Sequence, residues 1–160
     1  MTCGPSRYFI TFKAPNRRAM IVRVEHEDAL ATLEVQPYQK LLRLTWKGNA
    51  SGEHYRNVLH TVLELVEREG LKLWLSDGRQ LGPILAEDEA WTNREFTPKV
   101  MAAGLRRIAI VSGAEDASID AVERMVDATS PEAPYQVAFF QDPAIAQLWL
   151  MERVPEGTGA

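Results

Sequence analysis

Between Gly48 and Gly70 the apolar residues change their period, and no other feature limits the fold as tightly. Before the change they come in short extended runs. The first, 20–26, alternates through Ile21-Val22-Arg23-Val24 and stops at Glu27-Asp28. The second, 30–35, ends at Gln36-Pro37, and the third is Leu41-Leu42-Arg43-Leu44-Thr45-Trp46-Lys47. Short runs with close turn signals predict an antiparallel meander. After the change, Tyr55, Val58, Leu59, Val62, Leu63 and Val66 share one face at helical spacing. Ser51 is the expected N-cap, Glu53 suits the positive end of the helix, and Glu64 and Arg68 form an i,i+4 pair. Gly70 supplies the stop.

From there the chain alternates. A strand at 71–75 is followed by a loop punctuated by Gly78, Gly82 and Pro83. A helix starts near Ala86 and passes Trp91 and Phe96. Pro98 predicts a kink or a restart with Thr97 as N-cap, and Gly104 ends the element. Ile108-Ala109-Ile110-Val111 has the unbroken apolar character of a buried parallel strand. Asp116 or Ser118 caps a third helix carrying Ile119, Val122 and Val126. Val137–Phe140 is the last strand, and Asp142-Pro143 opens a helix carrying Ile145, Leu148 and Trp149. The order β-β-β-α-β-α-β-α-β-α predicts an α/β fold. Its sheet is mixed and mostly parallel, with an antiparallel N-terminal meander and four crossover or flanking helices.

Composition bounds the rest. A chain of 160 residues with 46% apolar and 25% charged side chains is expected to form one ordered domain. A net charge of −4 argues against nucleic acid as a partner. No run is long enough for a membrane span, the first twenty residues lack an export h-region, and Cys3 has no second cysteine to pair with. A cytoplasmic location is expected. Arg7, Lys13, Arg17, Arg18 and Arg23 all precede the first acid, Glu25. Such a leader reads as a targeting segment, an anion-binding arm or a tail. The tail is preferred because patterning begins at Met20, which is then a candidate for the true start. The expected organisation is a poorly ordered extension at 1–19, a domain at 20–153 and a frayed tail at 154–160.

Catalytic patterns are sparse. Leu73-Trp74-Leu75-Ser76-Asp77-Gly78 lacks the first glycine of a nucleophile elbow. The glycines at 78 and 82 are too close for a phosphate loop, and Pro83 stands where the lysine belongs. His54 and His60 are six apart, which is not metal-ligand spacing on a helix, so no metal or cofactor is expected. Glu87, Asp88 and Glu89 crowd a first helical turn, where the backbone dipole favours acids. Asp77 and Arg79 follow a strand's carboxyl end, where open α/β sheets bind ligands, but an ion pair bracing the loop explains them as well. Trp46, Trp74, Trp91 and Trp149 read mainly as core, with Trp91 the one expected to be partly exposed.

Several pieces, in this order, resemble the STAS-like (SpoIIAA-like) family of bacterial regulatory modules. They are Leu41–Gly48, Trp74-Leu75-Ser76-Asp77, Glu87-Asp88 with Trp91, Arg107–Val111, and Phe139-Phe140-Gln141-Asp142 leading into Ala146–Leu150. The resemblance covers about residues 20–151. It implies the fold of the anti-sigma-factor antagonists, likened to the lipid-carrying SEC14 fold, and a small binding module rather than an enzyme. Antagonists of that type carry Asp-Ser-x-Gly, whose serine is phosphorylated. Here Ser76-Asp77-Gly78-Arg79 reverses the first two residues, which speaks against that switch.

The expectation for function is a non-enzymatic regulatory module that contacts a protein partner or a second copy of itself. Its surface would comprise Asp77, Arg79, Leu81, Ile84, Leu85 and Trp91. The alternative is an apolar-ligand or lipid carrier, with a cavity between the sheet and the bent helix 86–103, lined by Trp74, Trp91, Phe96 and Met101. An enzyme stands third.

Overall fold

Order along the chain is order across the sheet. Strands β1 (Arg7–Ile10), β2 (Ile21–Glu27), β3 (Ala31–Gln36), β4 (Leu41–Trp46), β5 (Leu73–Asp77), β6 (Arg107–Val111) and β7 (Gln136–Phe140) lie side by side as β1-β2-β3-β4-β5-β6-β7. The computed structural model describes residues 7–10, 21–129 and 131–152. Met20, Arg153 and the tail 154–160, which bound the expected domain, lie outside them, as does most of 1–19.

The first four strands are antiparallel and the last four are parallel. This is the mixed α/β sheet expected from the change of period, with one strand more. Tyr8-Phe9-Ile10 is an aromatic and β-branched stretch suited to extended backbone, and β1 pairs with β2 from Arg7↔Val24 to Ile10↔Ile21. Four residues are too few to display a period, so the strand is not visible from its own sequence.

The meander's turns follow from local chemistry. Between β2 and β3, Asp28 Oδ1 accepts the backbone N–H groups of Leu30 and Ala31, each at 2.8 Å. This is the turn that aspartate favours. A bulge between Val24 and His26 shifts the register of β2 against β3.

Helix α1 (Gly52–Glu69) crosses from β4 to β5. Its stripe of Tyr55, Val58, Leu59, Val62, Leu63 and Val66 is buried as the spacing predicts, and Gly70 closes it in the left-handed region at φ 61°. The expected Ser51 cap is not made. Instead, buried Asp88 reaches across and accepts the Gly52 N–H at 2.8 Å. An acid expected to serve the dipole of its own helix serves a neighbouring one.

Between β5 and β6 lies one bent helical unit: α2 (Ala86–Trp91), a π-helical turn (Thr92–Phe96) and α3 (Thr97–Ala102). The expected kink takes this form. Pro98 has no N–H to give the carbonyl of Arg94, and the turn before it widens until the Thr97 N–H reaches the Thr92 carbonyl. Helix α4 (Ile119–Thr129) joins β6 to β7, and α5 (Pro143–Met151) follows β7.

Two apolar layers result. One packs α1 and the bent helix against Leu33, Val35, Leu42, Leu44, Trp74 and Ile108. The other packs Ala146 and Leu150 of α5 against Leu41, Leu75, Ala109 and Val111. Asp142 caps α5 as predicted, accepting the Ala144 N–H at 2.8 Å. The face of α5 differs from the expected one: Leu148 is 68% exposed and Ile145 51%. Pro-Ala-Ile-Ala-Gln-Leu-Trp-Leu-Met is apolar nearly all round, so its sequence carries no phase.

Candidate functional site: a cavity under the bent helix

Side chains alternate across a strand, and this places Trp74 and Ser76 on one face of β5 and Asp77 on the other. The parallel register sets Ile108 and then Val137 beside Trp74, and Ile110 beside Ser76. These residues floor a cavity of about 130 Å³. Thr92, Phe96, Thr97 and Val100 of the bent helix form one wall. Ile119, Val122, Met125, Val126 and Thr129 of α4 form the other. Leu81 and Ile84 of the loop after β5 close one end, with Gly78, Ser112 and Ser118. Trp46, Tyr55, Leu59, Val111 and Tyr135 complete the lining, in which no side chain is charged. The widened turn is where the helix meets the cavity, since Thr92 and Phe96 both belong to it.

The lining residues with polar side chains are Trp46, Tyr55, Trp74, Ser76, Thr92, Thr97, Ser112, Ser118, Thr129 and Tyr135, all of them uncharged. Thr92 Oγ1 donates to the Asp88 carbonyl at 2.7 Å, which fixes Tyr55 as the donor in its 3.0 Å bond to Thr92 Oγ1. Burial pushes the Tyr55 hydroxyl up to about 12, with Asp88 and Glu89 adding to the rise against the Thr92 bond, so it stays protonated. Ser118 Oγ donates to Asp116 at 2.8 Å. The indole N–H of Trp74 is buried and has no partner among the described residues. Phe96 meets the Trp74 ring edge-on, with centroids 6.0 Å apart at 75°, and so restricts its orientation.

An ion pair ties the two walls. Arg124 on α4 gives two hydrogen bonds to Glu89 on α2, at 3.1 and 2.7 Å. The bonds from Arg124 hold the Glu89 carboxyl below its ordinary range, against a smaller desolvation effect.

The residues singled out in the sequence do not converge on one surface. Asp77 and Arg79 form a two-bond pair at 3.0 and 2.8 Å, on the strand face opposite the cavity. This is the loop-bracing arrangement. Leu81 is buried and Ile84 half-buried, and both line the cavity; Leu85 is 45% exposed. The expected exposure of Trp91 is corrected, since it is only 8% exposed. It packs against Tyr55, stacks on Phe96 at 6.2 Å, and lies under the Arg56 guanidinium at 5.6 Å. Of the four residues expected to line a cavity, Trp74 and Phe96 do so, whereas Trp91 and Met101 do not. Sequence reading misses the contribution of α4. Its apolar stripe is legible, but a stripe looks the same whether it meets core or cavity.

His26 and His54 come together on Asp28, their Nε2 atoms 2.9 and 3.1 Å from the same Oδ2. Burial acts to raise the Asp28 carboxyl. The bonds from the Leu30 N–H, His26 and the Ala31 N–H outweigh it and pull the group to about 2. Among the described residues no three His, Cys, Asp or Glu side chains are grouped as a metal site would require. No helix among them is long and apolar enough to cross a membrane.

Comparison with protein-family models and with curated proteins finds no match. Among solved structures, the chain is similar to an uncharacterized DUF3478-family protein from Shewanella loihica PV-4, described as having a SpoIIAA-like fold. The likeness covers 94% of this chain and 98% of that one, at 17% identity and a TM-score of 0.47.

Proposed function

We propose that this protein is a non-enzymatic binding module that takes a small apolar ligand between its sheet and the walls formed by the bent helix and α4. The observation that carries the reading is the cavity of about 130 Å³ with an aromatic and aliphatic lining. Buried apolar space of about 150 Å³ stays dry and accepts a single-ring molecule. A packed core of this size would otherwise close most such volume, because each lost contact costs stability. The lining offers hydroxyls but no carboxylate, imidazole or amine, so it lacks the usual groups for general acid–base work.

The test is thermal unfolding of the full chain with toluene. At ten times the dissociation constant, a ligand specific for the folded state adds about 1.4 kcal/mol, enough to raise the melting temperature by several degrees. Val126→Phe, which fills the cavity, is expected to abolish the shift. An unchanged melt with toluene in the parent protein refutes the reading.

The contact-surface reading retains one supporting observation, the 45% exposure of Leu85 beside the loop that closes the cavity. It predicts concentration-dependent self-association that Leu85→Asp removes without lowering the melting temperature. Sedimentation that is monomeric across the concentration range sets aside contact between two copies.

A further inference from the structure

We infer that the ligand is a neutral amphipathic molecule, a single ring ending in one compact polar group such as a hydroxyl. It enters with that group at the carboxyl edge of the sheet, against the Ser112 hydroxyl. The inference rests on the cavity being a ligand site and adds the chemistry and the direction of what enters.

Many polar groups of the lining are already spent or out of reach. Tyr55 donates to Thr92, Thr92 to the Asp88 carbonyl, Ser118 to Asp116, and Thr129 to the Val126 carbonyl. Trp74 has no partner, but its Nε1 is sealed from any molecule in the cavity. The side chains of Trp46, Ser76, Thr97, Ser112 and Tyr135 make no hydrogen bond among the described residues, and their polar atoms are not sealed.

Strand register sorts these five. Thr45, Asp77 and Val111 stand side by side on β4, β5 and β6, and Trp46, Gly78 and Ser112 each follow by one residue. The Gly78 N–H donates to the Val111 carbonyl and the Ser112 N–H to the Phe140 carbonyl, each at 2.9 Å, so the ladder runs one step past the strands. Trp46, Ser76 and Ser112 thus gather at the carboxyl edge, where open α/β sheets bind ligands. Thr97 and Tyr135 lie toward the other edge. Tyr135 precedes β7, and Thr97 follows Phe96, whose ring meets Trp74 near the start of β5. Between the two ends the floor is Ile108 and Ile110, with Val122 and Val126 on the α4 wall.

Ser112 is the hydroxyl that most lacks a partner. It is 8% exposed, whereas Ser76, Thr97 and Tyr135 are only half-buried and can meet water. A buried polar group without a hydrogen bond is an exception in folded proteins and marks where one is expected. Room is left beside it. Gly78 stands between Trp46 and Ser112 in the row, and a Cβ added there would meet nothing closer than Ser118 Oγ at 3.7 Å. A small head group over Gly78 has the Ser112 hydroxyl, which gives or accepts, on one side. On the other is the Trp46 indole, which only donates.

Charge and size set the rest. No lining side chain is cationic, and Asp116 already places a carboxylate at this end, accepting the Ser118 N–H and hydroxyl at 3.0 and 2.8 Å. An anionic head would lose its water, gain no counter-ion and face a like charge. A cavity of about 130 Å³ admits one ring with a short side group rather than a long acyl chain.

Toluene, benzyl alcohol and benzoate share a ring and one further carbon, and differ only in the head. Each is titrated by calorimetry into the full chain, Ser112→Ala and Tyr135→Phe. Ser112→Ala removes an oxygen that bonds to nothing in the free protein, so its melting temperature should match or exceed the parent's. The parent is expected to bind benzyl alcohol at least as tightly as toluene, although the alcohol gives up more hydration, and not to bind benzoate. Ser112→Ala should weaken benzyl alcohol roughly 2- to 10-fold, the range for one neutral hydrogen bond, and leave toluene unchanged. Tyr135→Phe should alter neither. Toluene binding without benzyl alcohol, or an alcohol affinity that Ser112→Ala does not lower, overturns the role of Ser112 and leaves the cavity reading intact. A selective loss of the alcohol in Tyr135→Phe instead puts the head at the opposite edge and overturns the direction. Benzoate binding as tight as that of benzyl alcohol overturns the neutral-ligand claim. Failure of all three to bind overturns the cavity reading beneath it.

Discussion

Asp88 and Glu87 are neighbours of the same charge, yet only one is structural. Asp88 is 1% exposed, caps α1 through the Gly52 N–H, and lies 3.4 Å from the Arg56 guanidinium. Removing it leaves an orphaned helix start and a partly buried cation. Asp88→Ala is therefore expected to lower unfolding free energy in urea by roughly 1–3 kcal/mol, whereas exposed Glu87→Ala should stay within about 0.5 kcal/mol. Nothing in Glu87-Asp88-Glu89 distinguishes the middle acid, because the group it serves is thirty-six positions away. Asp28 provides a second test, by pH. Its folded carboxyl sits at about 2 against an ordinary 3.8, so the unfolded chain binds the proton more tightly. The stability it contributes is complete above the ordinary value and is lost as pH falls through about 2. Asp28→Asn should flatten the acid limb of the stability curve in that window, measured as urea midpoints against pH. An unchanged limb would mean that other carboxylates dominate it.

Among the elements, legibility in sequence tracks how sharply each face is divided. Helix α1 is readable because its apolar residues occupy one stripe and charges the rest, and Gly70 takes the positive φ that ends it. Pro98 announces a disturbance, but its form, a widened turn lining a cavity, depends on what packs beside it. Helix α5 is readable as a helix from Asp142-Pro143, though not in phase. Its orientation comes from tertiary contacts: Ala146 and Leu150 fit against β5 and β6, while Trp149 turns to Phe140 and to the Arg107 guanidinium at 5.0 Å. Two leucines two positions apart therefore differ sharply. Leu150→Ala is expected to cost about 2–5 kcal/mol as a core truncation, and Leu148→Lys should be neutral within about 0.5 kcal/mol. Chemical denaturation of the two variants checks the phase, and a reversed order would place the buried face of α5 on its other side.

Across the whole molecule, the cavity depends on two walls that follow different strands. The bent helix follows β5 and α4 follows β6. The floor beneath them is fixed by the parallel register of β5, β6 and β7, so any change in the opening falls on the helices. The Glu89–Arg124 pair links them at 2.7 and 3.1 Å. Water screens a pair of this kind, so it contributes little to global stability, but it can set how often the walls part. Arg124→Ala is thus expected to leave the melting temperature nearly unchanged while raising the dissociation rate of a bound probe such as acetophenone several-fold, read from NMR line shapes. The pH dependence follows with its sign. The folded Glu89 carboxyl lies below its ordinary 4.5 because Arg124 bonds to it, so the clamp is still intact at that value and releases only as pH falls through the lowered folded one. Dissociation should therefore quicken on acidification in the parent protein and show no such step in Arg124→Ala. If both proteins release the probe at the same rate throughout, the ligand leaves by another route, with the loop carrying Leu81 and Ile84 at the cavity's end the next to examine.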